Sequence, residues 1–114
     1  MSDTEPKVTI VIINYNSGHY LSDCLRALQH QHFDAFRVVV ADNKSDDDSL
    51  VVAMDSLNEE NRACDPRFTF VQSDENSGFA KANNRVVDEV RTPLIALLNP
   101  DAIPDPYWLG RLVE

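Results

Sequence analysis

Four short apolar runs alternate with segments of helical periodicity along the chain. The runs lie at residues 8–13, 37–41, 68–71 and 94–98. The last of them has no polar interruption and is soon followed by a proline, which is typical of a strand buried on both faces of a parallel sheet. Strands that alternate with helices predict an α/β fold, with a mostly parallel sheet and helices on both of its faces.

Apolar residues spaced three and four positions apart predict a helix after each of the first three runs. The first of these helices covers residues 19–31. Ser45, Asp46 and Asp47 are expected to cap the start of the second helix. Asp105 and Pro106 begin a further helix near the end of the chain. The residues that mark the first three helices are Leu21, Cys24, Leu25 and Leu28; Leu50, Ala53, Met54 and Leu57; and Phe79, Ala82, Val86 and Val90.

Polar residues follow every predicted strand. In a parallel sheet these residues meet at one edge, because all the carboxyl ends lie there. If the second and third strands lie on one side of the first strand and the fourth lies on the other, the strand order reverses between the first and fourth. Ligands of open α/β sheets bind at such a switch point. Asn14 and Asp101 would flank this crevice.

The charge and the glycines limit what the crevice could bind. The net charge is −9 and the basic residues are scattered, which argues against nucleic acid as a partner. An anionic ligand would be repelled unless a cation stood between it and the protein. With only three glycines, the chain has neither a GxGxxG motif nor a P-loop. A carboxylate such as Asp101 would instead hold Mg²⁺ or Mn²⁺ on a diphosphate.

The length of 114 residues predicts a single domain, residues 1–114, with its own core. No apolar run approaches the roughly 20 residues of a membrane span, and the polar N-terminus lacks the core of a signal peptide. Cys24 and Cys64 form no metal or redox motif and are expected to be structural. We therefore expect a cytoplasmic location. Because the last predicted helix continues to Glu114, we also expect this chain to be the front part of a longer protein.

Four motifs, in this order, resemble those of the nucleotide-sugar-dependent glycosyltransferases of family 2. They are "VIINYNSGHYLSDCL", "VVVADNKSDDDS", "SDENSGFAKANN" and "LLNPDAIPDPYWL", and they are spread over nearly the whole chain, from residue 11 to residue 109. The resemblance implies the Rossmann-like GT-A fold, a three-layer sandwich. The "NPDA" sequence in place of Asp-x-Asp is similar to that of rhamnosyltransferase-type members, which act on cell-surface polysaccharides.

The resemblance also implies roles for individual residues. Tyr15 and Asn16 would line the base-binding pocket, and Asp42 would accept a hydrogen bond from the pyrimidine ring of a UDP- or dTDP-sugar. Asp101 would coordinate the divalent metal on the diphosphate, and Asn99 would face the ribose or the waters of the metal. Other residues expected beside the nucleotide are Asn43, Asn76, Gly78, Phe79 and Asn83.

The implied reaction is displacement of the nucleoside diphosphate by a hydroxyl of a saccharide or lipid-linked saccharide acceptor, with inversion at the anomeric carbon. The metal acts as a Lewis acid toward the leaving group. The general base would come from the second half of the catalytic domain, beyond Glu114. We therefore expect this chain to bind the donor without turning over by itself. The longer protein would be cytoplasmic or peripheral at the inner face of the membrane.

Plainer and rival interpretations stay open at this stage. Asp42 could cap a turn, and the acidic run at residues 46–48 suits the start of a helix better than a metal site. Tyr107 and Trp108 could anchor the last helix or stack on a sugar. A nucleotidyltransferase would share the fold and the metal chemistry, although a Gly-rich basic loop is expected after its first strand. A non-catalytic scaffold domain would bind no nucleotide.

Overall fold

The computed structural model describes residues 6–61, 67–72 and 90–113, and within them it defines seven helices and strands. In chain order these are β1 (Val8–Asn14), α1 (Tyr20–Gln29), β2 (Phe36–Asp42), α2 (Ser49–Asn61), β3 (Phe68–Gln72), β4 (Leu94–Leu97) and α3 (Trp108–Val113). All four predicted strands are confirmed to within one residue at each end. No helix in the described part of the chain combines the length and apolar character needed to cross a bilayer.

The four strands form one parallel sheet in the order β3-β2-β1-β4. β1 pairs with β2 over its whole length, from Val8 opposite Phe36 to Asn14 opposite Asp42. The other edge of β1 pairs with β4, where Val8 lies opposite Leu94. The predicted reversal of strand order between β1 and β4 is therefore confirmed. It places a topological switch point at the carboxyl end of β1.

β1 lies at the centre of the core, and all seven of its residues are buried. Alternate residues of a strand point to opposite faces of the sheet. Val8, Ile10 and Ile12 accordingly belong to the main hydrophobic cluster, whereas Val11 and Ile13 belong to a second, smaller one. A strand with an apolar neighbourhood on each face favours apolar residues on both, which explains why only Thr9 interrupts the run before Asn14.

The described helices contribute to the same main cluster as Val8 and Ile10. The predicted apolar face of α1 is fully buried, and that of α2 is buried at all its positions except Met54, which is exposed. Met54 lies at the margin of the stripe formed by Leu50, Ala53 and Leu57, because residues turn by about 100° along a helix. The third predicted helix, marked by Phe79, Ala82, Val86 and Val90, lies outside the described residues except for Val90, which is not helical.

β4 departs from the expectation that it is buried on both faces. Leu94, Ile95 and Leu97 are 46%, 43% and 56% exposed, and only Ala96 is buried. The reason is its place in the sheet: among the described strands β4 is an edge strand with one neighbour, β1. An apolar run predicts a strand, but the neighbours of that strand decide how much of it is covered.

Asp105 caps the turn that leads into α3 as predicted, although α3 begins at Trp108 rather than at Pro106. The Tyr107 N–H donates to Asp105 Oδ1 at 2.8 Å, and the Trp108 N–H donates to the Asp105 carbonyl at 3.1 Å. Leu109 is fully buried, and Trp108 packs partly buried against the main cluster. Trp108 therefore anchors the last helix, one of the two roles considered from the sequence.

Candidate functional site at the carboxyl ends of the strands

Asn14 and Asp42 end two adjacent strands, and their side chains meet. They lie opposite each other in the β1–β2 register. Asn14 Nδ2 donates to Asp42 Oδ1 at 2.8 Å. Asn14 is 0% exposed and Asp42 is 4% exposed. Burial of polar groups to this degree requires hydrogen bonds, and the residues around the pair provide them for Asn14 Nδ2 and for the Asp42 carboxylate.

Ser45 closes a turn on Asp42. Its N–H donates to Asp42 Oδ2 at 3.0 Å, and its hydroxyl donates to Oδ1 at 2.7 Å. Lys44, inside this turn, has a left-handed φ of 61°. The turn-capping role considered for Asp42 is therefore present. The prediction that Ser45 caps α2 is wrong, because α2 begins only at Ser49 and the Ser45 hydroxyl is used at Asp42 instead.

The loop after β1 is hydrogen-bonded to the loop after β2. Asn16 Oδ1 accepts hydrogen bonds from the N–H groups of Asp46 and Asp47 at 2.7 and 3.2 Å. The Asn16 N–H donates to Ser45 Oγ at 3.0 Å, and the Gly18 N–H donates to Asp47 Oδ2 at 3.0 Å. We call this set of contacts between the two loops the interloop clasp. Asn16 and Gly18 both have left-handed φ values, 50° and 58°, which asparagine and glycine tolerate better than other residues.

Asp47 connects the interloop clasp to α2. Its Oδ1 accepts hydrogen bonds from the Ser49 N–H at 3.1 Å and from the Ser49 hydroxyl at 2.6 Å. The bond from the Ser49 hydroxyl is the largest cause that lowers the pKa of Asp47 below its ordinary value of 3.8. Asp47 thus serves the start of the helix, as expected. Within residues 6–61, 67–72 and 90–113, no group of three or more His, Cys, Asp or Glu residues is arranged to hold a metal ion.

The structure brings Tyr15, Asn16, Asp42 and Asn43 together at the ends of β1 and β2. Tyr15 lies between the buried Asn14 and the interloop clasp and is 45% exposed, so part of its ring is open to a stacking partner. Asn43 is buried, and its N–H donates to the Asn14 carbonyl at 2.8 Å. The side-chain oxygen of Asn16 accepts from the neighbouring loop.

Asn99 and Asp101 lie on the other side of β1, just after β4. The Leu98 N–H donates to the Val11 carbonyl at 3.0 Å, and the Ala102 N–H donates to the Asn99 carbonyl at 3.0 Å, which closes a turn. Both predicted residues are exposed. Asp101 is therefore accessible to a ligand at the switch point.

Cys24 of α1 lies against this turn. Its Sγ is 3.9 Å from the Asn99 carbonyl oxygen. Burial, with a smaller contribution from the charge of Asp101, raises the pKa of the Cys24 thiol to about 12. A thiol that stays protonated is a poor nucleophile, which agrees with the structural role expected for Cys24.

The residues around Asp101 fit one kind of metal site. Mg²⁺ is commonly bound by one or two carboxylates together with substrate phosphates and water, rather than by a cage of protein ligands. A single exposed carboxylate suits such a shared site for Mg²⁺ or Mn²⁺, with the diphosphate supplying further ligands. Four other residues expected beside the nucleotide, Asn76, Gly78, Phe79 and Asn83, lie outside the described residues.

The polar side chains that hold Asp42 in place were not predicted from the sequence. A serine three residues after an aspartate has the spacing of a side-chain turn, and this signal could have linked Ser45 to Asp42. The contact between Asn14 and Asp42 could have been inferred from adjacent parallel strands ending at equivalent positions. No comparable signal in the sequence points to Ser49, whose hydroxyl lies 2.9 Å from Asn14 Nδ2.

Comparison with known proteins identifies the family. Residues 9–114 match Glycosyl transferase family 2. The chain belongs to this family, and its parallel α/β sheet with helices is that of the GT-A glycosyltransferases.

The relatives include a teichoic acid polymerase and proteins named as glycosyltransferases. The teichoic acid poly(glycerol phosphate) polymerase of Staphylococcus epidermidis is 32% identical over 95 residues, which cover 83% of this chain and 13% of that protein. The putative glycosyltransferase EpsH of Bacillus subtilis is 28% identical over 109 residues, which cover 96% of this chain and 30% of that protein. The chain thus spans less than two thirds of the length of these relatives.

Solved structures share the fold. The structure of S. aureus TarS residues 1-349 in complex with UDP-GlcNAc has a TM-score of 0.79 at 24% identity and covers 94% of this chain and 30% of that chain. The mannosyltransferase PcManGT from Pyrobaculum calidifontis, in complex with GDP-Man and Mn2+, has a TM-score of 0.76 at 22% identity and covers 88% of this chain and 29% of that chain. At these identities the likeness concerns the fold.

Proposed function

We propose that this chain is the donor-binding part of an inverting glycosyltransferase that uses a UDP- or dTDP-linked sugar in the synthesis of a cell-surface polysaccharide. Membership of family 2 and the relative named as a teichoic acid polymerase support this class of reaction. The observation that carries the donor site is the buried Asp42, held by Asn14 and Ser45 beside the exposed ring of Tyr15.

The two sides of β1 would bind different parts of the donor. Asp42 would accept the ring N–H of uracil or thymine, and Tyr15 would stack on the base. Across β1, Asp101 would hold Mg²⁺ or Mn²⁺ on the diphosphate, and Asn99 would lie beside the ribose or the waters of the metal. When bound, the metal would neutralise negative charge that develops on the leaving group. The Mn2+ named in the mannosyltransferase structure supports metal use in this fold.

We place the general base outside this chain, in a sequence that follows Glu114. The two relatives described above are longer than this chain, which spans 13% and 30% of their length, and this is compatible with a base outside it. The chain would then be one donor-binding domain that does not turn over by itself. The complete protein would act on a saccharide or lipid-linked saccharide acceptor, in the cytoplasm or at the inner face of the membrane.

The proposal is tested by isothermal titration of UDP, dTDP and GDP into the 114-residue chain, with and without Mn²⁺. We expect UDP and dTDP to bind more tightly than GDP, and Mn²⁺ to strengthen this binding. Asp101→Asn should abolish the effect of Mn²⁺, because it removes the carboxylate that would coordinate the metal.

Asp105→Asn is the matched control, since it makes the same change at another exposed aspartate in the same segment. It should leave the effect of Mn²⁺ unchanged. Absence of nucleotide binding by the folded chain would contradict a donor site in this chain and favour a scaffold role. An equal loss of the Mn²⁺ effect in both variants would contradict the specific role of Asp101.

A further inference from the structure

A fully buried amide contacts the carboxylate that we assign to base recognition. Asn14 Nδ2 lies 2.8 Å from Asp42 Oδ1, 2.9 Å from Ser49 Oγ and 3.3 Å from Ser45 Oγ. The Ser49 hydroxyl donates its own proton to Asp47, so it accepts from Asn14. With Asp42 as an acceptor on one side and Ser49 on the other, the orientation of the Asn14 amide is determined.

The hydrogen bonds around Asp42 leave it little freedom to accept more. Each carboxylate oxygen accepts about two hydrogen bonds. Oδ1 accepts from Asn14 Nδ2 and the Ser45 hydroxyl, and Oδ2 accepts from the Ser45 N–H. Counting the contacts among the described residues, one acceptor position remains, and it is on Oδ2. Asn14 supplies one of the two hydrogen bonds to Oδ1, so its removal would open a second acceptor position there and weaken the hold on the carboxylate.

Asn14 destabilises the fold in one respect that an apolar residue would avoid. Asn14 Oδ1 is buried and has no hydrogen-bond partner within the described residues. A leucine of nearly the same shape would fill this space without an unsatisfied oxygen. The presence of asparagine is therefore explained by what its Nδ2 donates to, rather than by packing.

We infer that Asn14 is a positioning residue that fixes Asp42 as an acceptor with a single open position, and that it thereby sets the preference for uracil or thymine over cytosine. The inference rests on the proposed function, in which Asp42 contacts the base. N3 of uracil carries a proton and can donate to Oδ2, whereas N3 of cytosine has a lone pair. A fixed acceptor discriminates between the two bases more strongly than one that can rotate away.

The test is the ratio of UDP affinity to CDP affinity in the full chain with Mn²⁺, measured for the wild type and for Asn14→Leu. We expect Asn14→Leu to weaken UDP binding by about tenfold, the effect of one hydrogen bond to a charged group, and to leave CDP binding unchanged. Thr9→Val is the matched control, because it also replaces a buried polar residue of β1 by an apolar one of similar shape. Thr9 lies at the opposite end of β1, bonded to Thr92 at 2.7 Å.

The ratio separates positioning from a structural role. Equal weakening of UDP and CDP, or an unchanged ratio in folded Asn14→Leu, would overturn the inference while leaving the proposed function standing. If far-UV circular dichroism shows that Asn14→Leu does not fold, the same measurement is made on Ser45→Ala, which removes the other hydrogen bond to Asp42 Oδ1. An unchanged ratio of UDP affinity to CDP affinity in Ser45→Ala would also overturn the inference. If the wild type binds none of UDP, dTDP or GDP, the proposed function fails and this inference fails with it.

Discussion

Replacing Asn16 with glycine and with alanine separates its two contributions to the interloop clasp. Both variants remove Oδ1, which accepts hydrogen bonds from the N–H groups of Asp46 and Asp47. They differ in the backbone. Asn16 has a φ of 50°, which glycine adopts freely and alanine does not.

The expected losses follow from these two terms. Two exposed hydrogen bonds contribute together about 1–2 kcal/mol to the free energy of unfolding. Alanine in the left-handed region adds about 1 kcal/mol of strain relative to glycine. We therefore expect Asn16→Gly to lower the free energy of unfolding by about 1–2 kcal/mol and Asn16→Ala to lower it by about 2–3 kcal/mol. This order is the reverse of that in an ordinary helix or strand.

Urea unfolding followed by far-UV circular dichroism measures both losses in the free energy of unfolding. The variants are compared with the wild type when the slope of this free energy against urea concentration is the same. Asn99→Ala is a suitable control, because Asn99 is exposed and its φ is not positive. Its effect should stay within about 0.5 kcal/mol. If Asn16→Ala is as stable as Asn16→Gly, the argument from backbone strain is refuted. If both variants match the wild type, the clasp contributes nothing to stability.

Three further predictions concern the core and two titrating groups. Leu25→Ala should lower the free energy of unfolding by about 2–5 kcal/mol, because Leu25 is fully buried. Urea unfolding measures this loss, and a loss below about 1 kcal/mol would contradict the place of Leu25 in the core. The pKa of Asp47 is lower in the folded chain than its ordinary value of 3.8, so ionised Asp47 stabilises the fold when the pH is above 3.8. This contribution is lost as the pH falls through the pKa of Asp47 in the folded chain. Asp47→Asn should therefore flatten the decline of stability below about pH 4, and an unaltered profile would count against these hydrogen bonds. Cys24 has a pKa of about 12 and should not react with Ellman's reagent at about pH 8 until the chain is denatured. The variant Cys64→Ser leaves Cys24 as the single thiol to be measured, and rapid labelling of the folded variant would disprove the burial of Cys24.

The strands were predictable because their signal is local. A continuous apolar run is visible in the sequence whatever surrounds it, so β1 and β2 were placed to within one residue. Burial depends on neighbours instead. The same kind of run in β4 predicted a strand correctly and its burial incorrectly, because β4 lies at the edge of the described sheet.

The site was predictable only as far as the topology determines it. Parallel strands bring their carboxyl ends to one edge, which was enough to place Asp42 and Asp101 on either side of β1. Which side chains touch depends on loop conformation. The left-handed φ values of Asn16 and Lys44 direct one loop toward the other, and no periodic pattern encodes them. The interloop clasp and the hydrogen bonds around Asp42 therefore became visible only in three dimensions.

The strand order has a consequence for how the chain reaches its fold. Val8 pairs with Phe36 on one side and with Leu94 on the other, so the second pairing closes a loop about three times as long. The longer loop costs about 1 kcal/mol more in chain entropy. During synthesis β1 and β2 can pair early, while the other edge of β1 stays open until β4 has been made. An open apolar edge is a template for other chains, so the arrangement that creates the crevice also prolongs the exposure of the nascent chain to misassociation.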